Sequence, residues 1–199
     1  YVADTSINGY TKYNAVHWNG QIWELKKIAG HGEYPRRTVF AFSEKEVWFD
    51  GAIKWDGVSY TVHMNGWPLM PNGDNWQVNK MWGSSSNDLY AVGNNGNIAH
   101  YNGQSWQKIE SGTDINLRDV GGSPDGSIIW AAGFEDFYGT VLLRNTGSGF
   151  EKVLEITDPI MPHPPNQITH VFKSLWTDKA GTVYLGAVGR VYAAPKNTT

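Results

Sequence analysis

The chain has 199 residues, enough to bury a sizeable core, and sets 16 Lys and Arg against 19 Asp and Glu for a net charge of −3. That balance, with no basic cluster, excludes nucleic acid as an expected partner, and the lack of cysteine removes disulfides, thiolate metal sites and a Cys nucleophile. No apolar run reaches the roughly 18 residues of a membrane-spanning helix, and an opening Tyr1 without Met or an apolar leader leads us to expect a mature or excised piece.

Ten Trp, ten Tyr and 23 Gly combine strand formers with turn formers, which is an all-β composition. In chain order, "YVAD", residues 14–18 and residues 21–28 read as three strands. "TVFAFS", "VWF", "AIKW" and "VSYTVH" read as four more, followed by "VNKMW", "LYAVG", "NIAHY" and "QSWQKI". "LRDVGGS", "IIWAAG", "TVLLRN" and "FEKVLE" form a further four, and "HVFKSLW", "TVYLGA" and "RVYAAP" close with three, eighteen strands in all. No segment holds a helical period, and no long crossover separates successive strands.

Four segments within this series align without gaps: "HWNGQIW" at 17–23, "KWDGVSY" at 54–60, "HYNGQSW" at 100–106 and "RNTGSGF" at 144–150. Each carries a Gly followed three residues later by an aromatic, and the aromatics Trp23, Tyr60, Trp106 and Phe150 stand 37, 46 and 44 residues apart. A period near 40–45 is that of a four-stranded propeller blade. Asn-Gly or Asp-Gly in three copies predicts two-residue type I′ hairpins. The expected fold is therefore all-β, a single β-propeller through residues 1–199 built as an incomplete run of about five four-stranded antiparallel blades. They fall at residues 1–30 (partial), 36–66, 76–110, 115–156 and 168–199 (partial). The first and last groups both contain second and third strands and cannot merge into one blade, so we expect part of a larger ring of six to eight; a five-bladed ring with defective closure is the alternative.

The third copy in full, "MWGSSSNDLYAVGNNGNIAHYNGQSWQKI", resembles the Trp-Gly-Ser…Asn-Asp-Leu-Tyr…Val-Gly…Tyr-Asn-Gly…Trp repeat of bacterial β-propeller proteins of Bacteroidetes and Chlorobi type. The likeness is tight for one blade, fair for two and loose at both ends, and it carries no catalytic motif. It implies an exported protein of extracellular, cell-surface or periplasmic location. Sialidase-type, kelch and WD repeats fit less well: the Asp-box positions hold Trp18, Trp55, Tyr101 and Asn145, the one glycine pair Gly121-Gly122 lies in a first strand, and only Trp55-Asp56 supplies a Trp-Asp.

Candidate chemistry is sparse. His17 and His100 occupy the repeat position that holds Lys54 and Arg144 elsewhere, a semi-exposed strand position, and the other histidines lack ligand spacing. Asp88, Asp125, Asp178 and Glu44 or Glu46 fall in first-to-second-strand connections, where acids bond their own backbone. Adjacent Glu135 and Asp136 point apart on a strand and do not form a glycosidase pair. No catalytic residue, metal site or cofactor is expected. Trp23, Tyr60, Trp106 and Phe150 are expected to pack between blades, Trp18 to be buried, and Trp48, Trp82, Trp130 and Trp176 to lie in the core.

The long insertions all fall in second-to-third-strand loops and interblade links, which share one face of a propeller, and binding residues concentrate in such loops over a rigid scaffold. A non-enzymatic module that binds a protein or polymer through this face is the leading expectation, with Tyr34, Arg36, Trp67, Trp76, Asp136, Phe137 and Tyr138 as contacts. A lectin-like module stacking sugars on Trp67, Phe137 or Tyr138 is the alternative, and a propeller hydrolase or lyase ranks third. The rest of the same propeller or a neighbouring subunit could cover the open blade edges.

Overall fold

The computed structural model describes residues 13–28, 37–68, 76–135, 139–156, 172–187 and 190–195. It is all antiparallel sheet among these residues. Strands β1 (Ala15–Trp18) and β2 (Trp23–Lys26) form a first hairpin. A second sheet orders β3 (Val39–Ser43), β4 (Glu46–Phe49), β5 (Ile53–Trp55) and β6 (Tyr60–Val62) in sequence. The third sheet holds β7 (Val78–Ser85), β8 (Asp88–Gly93), β9 (Ile98–Tyr101) and β10 (Trp106–Ile109). The fourth holds β11 (Leu117–Gly122), β12 (Ile129–Glu135), β13 (Gly139–Asn145) and β14 (Phe150–Ile156). The fifth sheet shows β15 (Phe172–Thr177), β16 (Val183–Ala187) and β17 (Arg190–Ala194). Each sheet is an up-and-down meander, the blade of a β-propeller. The expected strand "YVAD" lies outside the described residues. The chain divides into two compact units, Tyr1–Met64 with the first two blades and Asn65–Thr199 with the other three.

The repeated hairpin is not built as its dipeptide predicts. The last cross-strand pairs are Trp18↔Trp23, Trp55↔Tyr60 and Tyr101↔Trp106, so four residues, not two, make each loop. Only the glycines, Gly20, Gly57 and Gly103, have positive φ there. The preceding Asn or Asp works through its side chain instead: Asn19 Oδ1 accepts from the amides of Gln21 and Ile22, Asp56 Oδ1 from Val58 and Ser59, and Asn102 Oδ1 from Gln104 and Ser105, all at 2.7–3.0 Å. An Asx side chain closing its own turn outcompetes the two-residue geometry. In the looser fourth copy Asn145 Oδ1 does the same for Gly147 and Gly149. Paired positive φ at both turn centres occurs elsewhere, at Asp50-Gly51 and Asn95-Gly96, between second and third strands.

Cross-strand register explains why the third strand carries a cation. Trp48 pairs with Lys54, Tyr90 with His100 and Trp130 with Arg144. Lys54 Nζ lies 5.4 Å and the Arg144 guanidinium 5.7 Å from their rings, and His100 stacks on Tyr90 at 4.5 Å. Such pairs stabilise by about 0.5–2 kcal/mol as burial increases. Each of these third-strand groups also meets an acid: Lys54 meets Glu46 at 2.6 Å, His100 meets Asp88 at 2.8 Å, and Arg144 meets Glu151 at 2.7 Å. Glu46 and Asp88 are thus ion-pair partners of the third strand rather than turn closers, while Asp125 and Asp178 do bond the amides of their own turns. The hydroxyl of Ser123, then the Ser127 amide and hydroxyl, hold Asp125 down at about 2.

Blades stack by opposite faces. In the larger unit Tyr90, Val92 and Ile98 of the third blade pack on Leu117, Ile129, Ala131, Val141 and Leu143 of the fourth. The other face of the fourth blade, with Trp130, Ala132 and Leu142, packs on Phe172, Val183 and Leu185 of the fifth. Trp82 of β7 lies so close over β11 that a Cβ on Gly122 would meet its ring at 2.6 Å. In the smaller unit Ala15 and Ile28 bury against Ile53, with Phe49 and Tyr60 beside them. Asp119 ties first strands together: its carboxylate accepts from the Val120 amide and, at 2.8 Å, from the Leu175 amide on β15, with Lys80 of β7 3.9 Å away.

Burial follows these faces and corrects part of the aromatic reading. Trp48, Trp106 and Trp130 are fully buried, while Tyr60 and Phe150 pack at the edges of their clusters. Trp23, at the repeat position of Trp106, is 67% exposed, Trp18 is 48% exposed and Trp176 is 63% exposed. Equivalence in the repeat therefore does not give equivalence in burial.

Two predictions follow from these contacts. Trp106→Ala should lose about 3–5 kcal/mol, the cost of emptying a packed aromatic site, whereas Trp23→Ala should change stability by no more than about 0.5 kcal/mol as an exposed substitution; urea titrations of the two variants compare the same repeat position in two environments. Burial raises the Asp119 carboxyl, against the Leu175 amide, Lys80 and the Val120 amide that lower it. A raised folded pKa means stability that is complete below the unfolded value of 3.8 and lost as pH rises through the folded one. The stability difference of wild type over Asp119→Asn should therefore fall as pH rises above 3.8. Paired denaturation curves across that range measure it, and a difference that rises with pH would contradict the burial-dominated assignment.

Candidate functional site

In the larger unit, the second-to-third-strand loops and the links between blades meet, and backbone and amide bonds hold them together. The turn at residues 94–97 is closed by Asn97 N to Asn94 O at 3.2 Å, and the left-handed Asn95 and Gly96 aim their amides outward at the next link. Gly96 N donates to Ile115 O and Asn95 N to Asn116 Oδ1. Asn79 on β7 reaches the same place, donating to Asn94 Oδ1 at 2.9 Å and Leu117 O at 2.8 Å. Asn116 then continues into the fourth blade: its carbonyl accepts from Phe134 N, and its amide points at Glu135 Oε1, 3.4 Å away. These bonds fix the end of β12 at Phe134 and Glu135.

A basic group sits at this junction. Arg118 is the extra residue of the β-bulge between Leu117 and Asp119, and such bulges re-aim a side chain. Its guanidinium lies over the Phe134 ring at 5.4 Å, and its Nε is buried without a hydrogen-bond partner among the described residues. An Arg with an unused buried donor keeps directional hydrogen-bonding capacity that the described residues do not fill.

Of the seven residues expected to bind, Tyr34, Arg36, Asp136, Phe137 and Tyr138 lie outside the described residues. Trp67 and Trp76 are 8% and 4% exposed, and their rings stack at 5.4 Å and 9°. Trp67 also meets Trp106 edge-on at 4.8 Å. Both indoles are turned into the packing of the larger unit, where they cover the Trp106 face of the third blade. Lying outside the repeat marks them as link residues, but their direction depends on a partner 30 or more positions away. Sequence reasoning missed Asn79, Asn116 and Arg118; the only signal was the density of Asn in "NNGN" and "DINLR".

The third blade brings a serine, an aspartate and a histidine together outside this face, in an order that excludes nucleophilic use. The Ser84 hydroxyl donates to Asp88 Oδ2, and His100 Nε2 bonds the other carboxylate oxygen at 2.8 Å. A nucleophile needs its base on the hydroxyl, with the acid behind the base; here the acid sits between the two. Burial, with Asp88 adding to it, pushes the neighbouring Tyr90 up to about 12. Among the described residues no three His, Asp or Glu side chains are placed to hold a metal ion, and no helix is long and apolar enough to cross a membrane.

No protein-family profile matches the chain, and no curated protein matches it. Solved structures do. YCF48 bound to D1 peptide is 17% identical over 93% of this chain, with a TM-score of 0.58, and the extracellular domain of BT4673 from B. thetaiotaomicron is 15% identical over 96%, with a TM-score of 0.57. The chain spans 58% of the first and 27% of the second. These likenesses, to proteins of β-propeller type, establish the fold: an all-β chain of four-stranded antiparallel blades, about five in number.

Proposed function

We propose that the protein is a non-catalytic binding module, exported to the cell exterior, surface or periplasm, that holds a protein segment on its long-loop face. The carrying observation is the pinned junction of Asn79, Asn94, Asn95 and Asn116 with Arg118 above Phe134. Rigid stems lower the ordering cost of binding, and the amides with the buried Arg118 donor supply hydrogen-bonding capacity suited to a peptide backbone or carboxylate. Within the larger unit Asp136, Phe137 and Tyr138 would make the contacts, and Tyr34 and Arg36 would do so in the smaller one. The fold shared with a propeller seen holding a peptide and with an extracellular domain agrees with this reading.

Panning a phage-displayed peptide library on the immobilised protein tests it. The expected outcome is a sequence consensus whose affinity falls at least about tenfold, or 1.4 kcal/mol, in Arg118→Ala and in Phe137→Ala, with urea midpoints near wild type. A library that yields no consensus, while a glycan array gives signals that Phe137→Ala removes, would replace a peptide partner with a carbohydrate one.

A further inference from the structure

We propose that the larger unit selects acidic protein segments, Arg118 and Lys173 together receiving a carboxylate of the bound chain; this rests on the peptide-binding reading above. Both residues occupy the same place in the repeat. The register steps from Val78↔Gly93 to Lys80↔Val92 in the third blade, from Leu117↔Gly133 to Asp119↔Ala132 in the fourth, and from Phe172↔Ala187 to Ser174↔Gly186 in the fifth. Asn79, Arg118 and Lys173 are therefore the extra residues of three equivalent bulges. A bulge takes its extra residue out of the ladder and re-aims the side chain. In the third and fourth blades the second strand ends on glycine opposite the bulge, because a Cβ on Gly93 would collide with the Gln77 carbonyl and one on Gly133 with the Asn116 carbonyl. The three first strands are neighbours: Asn79 Nδ2 on β7 reaches Leu117 O on β11, and Asp119 Oδ2 on β11 accepts from the Leu175 amide on β15, both at 2.8 Å.

The bulge side chains have different fates. Asn79 is spent on the neighbouring link, through Asn94 and Leu117, whereas Arg118 and Lys173 are cations without an acid among the described residues. Asp119 is the one acid carried by β7, β11 and β15, and it is occupied by the Val120 and Leu175 amides with Lys80 3.9 Å away. Glu135, next to Phe134, turns its carboxylate to the Asn116 amide. Neither acid forms an ion pair with Arg118. Arg144 on the same blade shows the contrast, meeting Glu151 at 2.7 Å. Lys80, Arg118 and Lys173 against Asp119 leave the three strands with an excess of positive charge, in a chain whose net charge is −3.

Arg118 is already arranged for a carboxylate. Phe134 holds its guanidinium at 5.4 Å, and its Nε is buried without a bond, so an arriving acceptor restores a hydrogen bond at a group that has already left water. A planar guanidinium meets a carboxylate through two parallel bonds. Lys173, exposed one strand away, adds a flexible point charge. A neutral segment would leave both charges unmet.

Equilibrium binding to peptide pools that carry Asp and Glu, only neutral residues, or Lys and Arg, each made with free and with amidated C termini, tests the proposal. Acidic pools should bind at least about tenfold more tightly than neutral ones, and Arg118→Gln and Lys173→Gln should each remove much of that margin. A preference that survives amidation assigns side-chain carboxylates, and one that amidation abolishes assigns the chain terminus. Arg118→Glu/Lys173→Glu should turn instead to the basic pools, a gain that loss of folding does not produce, while Lys108→Glu/Lys179→Glu, the same change of charge away from the bulges, should keep the wild-type preference. Equal binding of neutral and acidic pools by wild type would overturn the acidic assignment and leave the peptide reading standing, whereas no binding from any pool would overturn both. An acidic preference that persists in full in Arg118→Glu/Lys173→Glu would also overturn it.

Discussion

A four-stranded antiparallel blade with side chains of both faces in the core cannot stand alone, and that constraint organises this protein. A sheet with one solvated face alternates apolar and polar residues, but β12 and β13 are buried along nearly their whole length. Each blade must therefore be covered on two sides. The chain does so by setting its aromatic–cation face against the aliphatic face of the next blade, as Tyr90 with His100 does against the cluster of Ile129, Ala131 and Leu143. The cations of the third strands owe their place to this rule. A Lys or Arg that lies over a ring and meets an acid at its tip buries its stem without stranding its charge.

The same constraint separates scaffold from function. Side chains of the repeat are committed: Asn19, Asp56 and Asn102 close hairpins, and Asp88 is held between Ser84 and His100. Freedom remains at the links and at the second-to-third-strand loops, where the repeat does not dictate residues. There the structure gathers Asn79, Asn94, Asn95, Asn116 and Arg118 from two strands and two loops. It also leaves Trp23 and Trp176 exposed, two positions that repeat logic alone assigns to packing.

Residues of the candidate face divide along the same line. That the turn at residues 94–97 lies beside the link at Ile115 and Asn116 was legible in the sequence, because those two classes of connection share a side of any meander. The chemistry of the face was not: Trp67 and Trp76 differ from a surface pair only in having Trp106 to pack on, and Arg118 is turned out by a one-residue bulge at the start of β11. Bulges and long-range stacking leave no local signature, since both are set by strands far away in sequence.

What the sequence determined by itself is the blade series: the aromatic-after-glycine period, the meander and the position of each hairpin. These are local, arising from strand propensity and turn chemistry within some 45 residues. Tertiary structure decided the rest. Turn type was decided by side-chain bonds from Asn19, Asp56 and Asn102 that compete with the dipeptide's own preference. Burial was decided by what covers a face, which is why Trp106, packed under Trp67, and Trp23, at the same repeat position, are 1% and 67% exposed.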